Sequence, residues 1–333
     1  MELNAYTAYG LGIRSEVPLT CRAAPAATPV DLTVQRAVLP VPPALNPTKI
    51  YRAGLNAQFA RLTDDRLLLV WPTFGSFLAV GGRELRVDSS HTDPEWLSLF
   101  ALSEALGLVL FQRGYFLLHG SAVRHHGRGV VFLGLPGAGK STTAAAFVQQ
   151  GGHLLSDDLV CLRVDDTGTP TLVPAGLPAK LWETAVEGLG LPRAGLSPVR
   201  EGATKYAWAA SRWAAPRRAG SASSETDEVP LDRIFVLEPP GTGTGDSQVR
   251  PSLVRPSLVR PSLVRPSLVR PSQIPALLLN HFPLPDDLLQ GTALRAYFRQ
   301  SARLAQTTPV STVQRPADFA RLRDFVDFLK TTA

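Results

Sequence analysis

Gly134, Gly139, Lys140 and Ser141 stand at the spacing G-x-x-x-x-G-K-[ST] in the stretch GLPGAGKST, residues 134–142. Each residue type has a task in holding a triphosphate. Glycines let successive backbone N–H groups turn inward around phosphate oxygens, and a following helix adds the positive end of its dipole. On this reading Gly134, Pro136, Gly137, Ala138, Gly139, Lys140, Ser141 and Thr142 form a loop for ATP. Lys140 reaches the β and γ phosphates, and the Ser141 hydroxyl holds Mg²⁺. Further on, LLSDDLV places Asp157 and Asp158 beside apolar residues. Buried carboxylates cost free energy unless a cation or donor compensates them. Alone, such a pair reads as a polar turn; beside a phosphate loop it reads as a site for Mg²⁺ and for a base that takes the proton of an attacking hydroxyl.

Elements must hold these groups in place. Val130, Val131, Phe132 and Leu133 have the length and β-branched content of a buried strand, and the Ala-rich run Thr142 to Gln149 starts a helix inside the loop. Residues 1 to about 90 read as β-rich, with runs such as Asp31 to Val34, Leu67 to Trp71 and Phe77 to Val80 between Pro, Gly and Asp clusters. DPEWLSLFALSEALGLVLFQ, Asp93 to Gln112, reads as a helix with Pro94 and Glu95 near its start. YFLLHGSAVRHHGRGVVFLG reads as strand, turn and strand. His125 and His126 are adjacent, so on a strand they point to opposite faces; with Gly127 they fit a hairpin turn better than a metal site. LLSDDLVCLRV, TLVPAG and DRIFVLEPP each have strand character. Phe319, Leu322, Phe325, Val326 and Leu329 recur at helical intervals and predict a docked amphipathic helix near the end.

Composition narrows the function classes. The 333 residues are 44% hydrophobic and 19% charged, enough for one large domain or two modest ones. The first residues lack the basic and apolar pattern of a secretory signal, and no run approaches a membrane span of about 18 apolar residues. Two cysteines, Cys21 and Cys161, are too few for a disulfide framework or a zinc site, so a reduced cytoplasm is the expected home. The net charge of +6 suggests nucleic acid at first sight. Five of those charges are Arg250, Arg255, Arg260, Arg265 and Arg270 of one pentapeptide repeat, VRPSLVRPSLVRPSLVRPSLVRPS, and without them the chain carries +1. No nucleic-acid or membrane partner is therefore expected. Pro at every fifth position forbids a helix, and a period of five fits no regular element, so the tract predicts an extended, solvated loop.

The run HGSAVRHHGRGVVFLGLPGAGKSTTAAAFVQQGGHLLSDDLVCL resembles the catalytic core of the HPr kinase/phosphorylase family, with a His-Gly pair before the loop, a Gly-His pair after its helix and an Asp-Asp pair on the next strand. YGLGIRSEVPL and QRGYFLLHGSAV extend the likeness to HPr-kinase-like serine kinases associated with lasso-peptide and other ribosomal peptide maturation. The resemblance implies an α/β fold: a P-loop kinase core of the HPr kinase/phosphoenolpyruvate carboxykinase type with a mixed or mostly antiparallel sheet, plus a β-rich N-terminal region. It divides the chain into residues 1–92 and a catalytic domain, 93–333, interrupted by the repeat at about 241–273.

By position, the resemblance makes Asp157 the general base for an acceptor serine, Asp158 a Mg²⁺ partner with Ser141, and His119 an orienting group near the phosphates beside Lys140. From the residues alone His119 reads as a polar group closing a strand and Lys180 as a solvated loop residue; the match of Pro178, Lys180 and Trp182 to the kinase-like relatives implies instead that Lys180 contacts the nucleotide or acceptor phosphate. Two departures stand out: Thr142 replaces the acidic residue that follows the loop Ser in bifunctional HPr enzymes, and VPAGLPAKLWE stands where their phosphorolysis segment lies. Reversal of phosphorylation is therefore not implied. The expected function is an ATP- and Mg²⁺-dependent kinase acting on a serine of a peptide or small protein. A small-molecule kinase for free serine or a sugar, or a non-catalytic nucleotide-binding module, shares the loop. HPr-type enzymes often form hexamers, which allows a homo-oligomer without fixing its size.

Overall fold

The structure, a computed structural model, describes residues 3–164, 169–199, 204–209, 228–238 and 266–332. Short runs punctuated by turns build the first sheet from β1 (Asn4–Ala8), β2 (Leu11–Ser15), β3 (Arg22–Ala23), β4 (Leu32–Arg36), β5 (Asn46–Arg52), β6 (Leu55–Thr63), β7 (Arg66–Trp71), β8 (Gly75–Val80) and β9 (Glu84–Asp88). Its nine strands lie in the order β3-β1-β2-β4-β9-β8-β7-β6-β5. Neighbours are antiparallel except where β4 runs parallel to β2 and β9. Alternation sets its faces: Leu85 and Val87 of β9 are buried while Glu84 and Arg86 are less covered. Trp71, Phe74, Phe77 and Phe100 form an aromatic cluster over it, with the Phe74 and Phe100 rings 3.8 Å apart.

The helix expected over Asp93 to Gln112 is two α segments, α1 (Pro94–Phe100) and α2 (Leu106–Gln112), joined by a π turn, Ala101–Ala105. Asp93 caps α1 by accepting from the Glu95 N–H, and Pro94 occupies the first turn, where its missing N–H costs nothing. Ser103 breaks the regular winding: its hydroxyl donates back to the carbonyls of Leu99 and Phe100, and its own dihedrals are non-helical. Pro94–Gln112 is long and apolar enough to cross a membrane by length and composition, which the sequence reading did not anticipate. Of that apolar stretch, 72% is buried by protein, as in a core helix.

The second sheet is mixed. It comprises β10 (Phe116–His125), β11 (Arg128–Leu133), β12 (His153–Arg163), β13 (Thr171–Val173), β17 (Val229–Glu238), β18 (Ser267–Leu268) and β19 (Val310–Gln314). Between β13 and β17 lies a three-stranded sheet of β14 (Ala179–Trp182), β15 (Leu196–Pro198) and β16 (Lys205–Trp208), with α4 (Glu183–Gly188) after β14. β10 runs antiparallel to β11 and β12, whereas β17 runs parallel to both β11 and β19. His126 and Gly127, both at positive φ, make the tight turn between β10 and β11. The helix α3 (Lys140–Gln149) follows β11 and is buried on nearly every side. After β18 come α5 (Ile274–Leu279), α6 (Gly291–Thr307) and, beyond β19, α7 (Leu322–Thr331), which buries Leu322, Phe325, Val326 and Leu329. One cluster of buried residues runs from Trp71 through Phe100 and Phe116 to Val310, so both large sheets and the helix between them share a core.

Most of the repeat lies outside the described residues. Its last copy is a correction to the solvated loop: Ser267 and Leu268 form β18, an edge strand antiparallel to β19, and the Val269 N–H donates to Val310 O at 2.8 Å. Pro266 and Pro271 are far enough apart to leave Val269 a free donor for that bond.

Candidate functional site

β11 ends at Leu133, and the chain passes through the glycine loop into α3. Gly134, Gly137 and Gly139 all take positive φ, which a side chain resists. Gly139 is the cap of α3, in the left-handed region. Pro136, Gly137, Gly139, Lys140, Ser141 and Thr142 line a cleft of about 890 Å³. Gly134 and Ala138 do not line it; the Gly134 carbonyl faces Lys140, and Ala138 is buried. The Lys140 ammonium donates to Gly134 O at 2.9 Å and Leu135 O at 3.2 Å, folded back on its own loop. Burial lowers its pKa, against the opposing pull of Asp158 and Asp157.

The same cleft is lined by His119, Asp157, Asp158 and Lys180. Successive strand residues ordinarily point to opposite faces. Here Asp158 sits on β12 at φ 76, a left-handed conformation that Asp tolerates better than most residues. The twist lets both carboxylates border one cleft. Asp157 is buried: the Ser121 hydroxyl donates to Oδ1 at 2.6 Å and the Lys180 N–H to Oδ2 at 2.8 Å. Opposite Asp158 on β10 is Gly120, where a Cβ would come within 2.7 Å of Phe132 O.

Asp158 is held by three basic groups: Arg52 Nη2 at 2.9 Å, Lys180 Nζ at 3.3 Å and His119 Nδ1 at 3.5 Å. Burial pushes its pKa up, but Arg52, Lys180 and His119 outweigh burial and hold it well below the usual carboxylate range. Arg52, at the end of β5, also makes a two-toothed pair with Glu104 of the π turn. Burial lowers the pKa of Lys180, with Arg52 adding to it. For His119 burial again lowers the pKa, Asp158 opposes, and Lys140 adds to the lowering. The His119 backbone N–H donates to His281 O, and burial together with Lys140 brings the His281 side chain down to about 4. A second cavity, of about 260 Å³, shares Leu99, Asp157, Asp158, Lys180 and Val199 with the cleft and is otherwise walled mainly by apolar residues such as Tyr9, Leu102 and Leu177.

The structure thus brings together His119, Lys140, Ser141, Asp157 and Asp158, with Lys180 bonded to both aspartates. Sequence spacing carried no signal for Arg52, Glu104 or Arg315, which come from elements remote along the chain, nor for Ser121, two residues after His119 on β10. Among the described residues five basic side chains, Arg52, Lys140, Lys180, Lys205 and Arg315, line the cleft against two carboxylates. That surplus suits a polyanion. The Ser141 hydroxyl and the carboxylates are hard oxygen donors of the kind Mg²⁺ takes alongside phosphate oxygens. Among the described residues no three or more His, Cys, Asp or Glu gather to hold a metal unaided. A Mg²⁺ here therefore suits a site completed by phosphate.

No protein-family model matches the chain, and no curated protein is similar to it. Among solved structures, the Hpr(Ser) kinase/phosphatase from Coxiella burnetii aligns over 65% of this chain and 95% of its own, at 11% identity and a TM-score of 0.31. A likeness that low carries no conclusion about fold or chemistry.

Proposed function

We propose that the protein is an ATP- and Mg²⁺-dependent kinase that transfers the γ-phosphoryl group to a serine hydroxyl of a peptide or small protein. The observation that carries the reading is the opening of the glycine loop, Lys140, Ser141, His119 and both aspartates into one basic cleft. Catalysis of phosphoryl transfer is mostly positioning and charge neutralisation, and these groups can do both. Lys140 would exchange its loop carbonyls for phosphate oxygens. Mg²⁺, held with Ser141 and Asp158, would neutralise charge on the phosphates. Asp157 would orient the acceptor hydroxyl and accept its proton, itself fixed by Ser121 and the Lys180 N–H.

The smaller cavity suits an apolar side chain next to the acceptor serine, which its mainly apolar walls would bury. The test pairs wild type with Asp157→Asn, offering MgATP and candidate serine peptides and reading phosphoserine by mass spectrometry. The variant should bind ATP normally while transfer falls about 100-fold or more, the usual range for loss of a general base. Undiminished phosphoserine would remove Asp157 from the mechanism.

A further inference from the structure

We infer that Arg315 is a further nucleotide-binding residue, whose guanidinium takes an oxyanion of the polyphosphate chain lying on the glycine loop. The inference rests on the proposed reading of that loop as the ATP site. Three parallel strands end side by side: β11 runs into the loop, β17 ends at Glu238, and β19 ends just before Arg315. The Arg315 N–H continues the ladder by donating to Glu238 O at 3.2 Å. Ligands of such sheets bind outside the carboxyl ends of the strands, where Arg315 stands.

Among the described residues its surroundings contain no counter-ion. Arg315 is 9% exposed, and its Nε is buried without a hydrogen-bond partner. Burial lowers its pKa, and no acidic side chain among the described residues restores it. One face of the guanidinium lies over the Phe319 ring, 5.6 Å from the centroid. The side chain also lies against Gly139, where a Cβ would come within 2.6 Å of Nε. The loop glycine therefore has a second task beyond its positive φ: it leaves room for this side chain. A buried arginine that also lines the cleft is offered its missing charge partner when an anion arrives. Its planar fork fits phosphate oxygens, and Gly139 puts it beside the backbone that would cradle them.

Titration calorimetry with ATP and with inorganic tripolyphosphate, on wild type, Arg315→Met, Arg315→Lys and Lys140→Ala, tests this. Arg315→Met should weaken both ligands about tenfold or more, as loss of a charge-assisted hydrogen bond does, with Arg315→Lys recovering part. Its ligand-free melting temperature should be unchanged or higher, since an uncompensated charge is gone; a residue that served only to pack Phe319 on the loop would lower it without changing affinity. Wild-type affinity of Arg315→Met for both ligands, while Lys140→Ala loses them, would overturn the role of Arg315 and leave the loop reading standing. Loss of ATP with tripolyphosphate unaffected would place Arg315 against the nucleoside and overturn the phosphate assignment. Failure of the wild type to bind either ligand would overturn both the loop reading and this one.

Discussion

Asp157 and Asp158 divide their work through what each already touches. Asp157 accepts from a hydroxyl and a backbone N–H, neutral donors that orient it without cancelling its charge; Asp158 is locked among Arg52, Lys180 and His119. The Asp-Asp pair was legible in LLSDDLV, but its shared face was not, because strand alternation predicts opposite faces and only the left-handed turn at Asp158 overrides it. The histidines beside this centre make a pH prediction. His281 falls from 6.5 to about 4, and His119 is also lowered, both mainly through burial. The unfolded chain therefore binds protons first as pH drops, and stability is lost between about 6.5 and 4. Urea midpoints should decline across that window, and His281→Gln should flatten the decline. An equally steep decline in the variant would contradict the assignment.

At the scale of elements, the β5–β6 hairpin does what no motif announced: it delivers Arg52 into a cleft built by the second sheet. Its turn, Ala53 and Gly54 at positive φ, also lines that cleft. The π turn supplies Glu104 on the other side of Arg52, and such bulges recur at functional sites. The sequence pattern showed a helix over Asp93 to Gln112 but could not show this irregularity, since Ser103 and its back-bonding look like any polar position. Arg52, Glu104 and Asp158 have side chains 10%, 14% and 24% exposed. Breaking such a covered ion pair strands its partners, at about 3–5 kcal/mol. Arg52→Ala should lose stability of that order in urea titrations, and Arg52→Met with Glu104→Gln should recover part of it. A loss under about 1 kcal/mol in the single variant, as exposed pairs give, would show that the network is not structural. The repeat teaches the complementary lesson: composition marked it as foreign to the fold, yet its last copy pairs with β19, because strand addition at an edge asks for backbone donors rather than a sequence period.

For the whole molecule, the β-rich first ninety residues were readable from apolar runs and turn residues, whereas a mixed sheet around the loop was implied only by the resemblance to HPr-kinase-type cores. How the two meet was not readable, because the contacts that join them, Tyr9 to Leu159 and Arg52 to Asp158, link positions far apart in the chain. The result is a shared core with one basic cleft at the ends of parallel strands and a smaller, partly apolar cavity beside it. Within the proposed kinase, the cleft takes MgATP, Asp157 faces the acceptor, and Arg315 and Lys140 flank the phosphates. The most direct test follows the label. With ATP labelled in the γ-phosphoryl group and serine peptides as acceptors, the account predicts label on serine, ADP in equal amount, and neither product when Lys140 is replaced by Ala. Bound ATP that yields only labelled inorganic phosphate, or no nucleotide turnover with any serine acceptor, would contradict it.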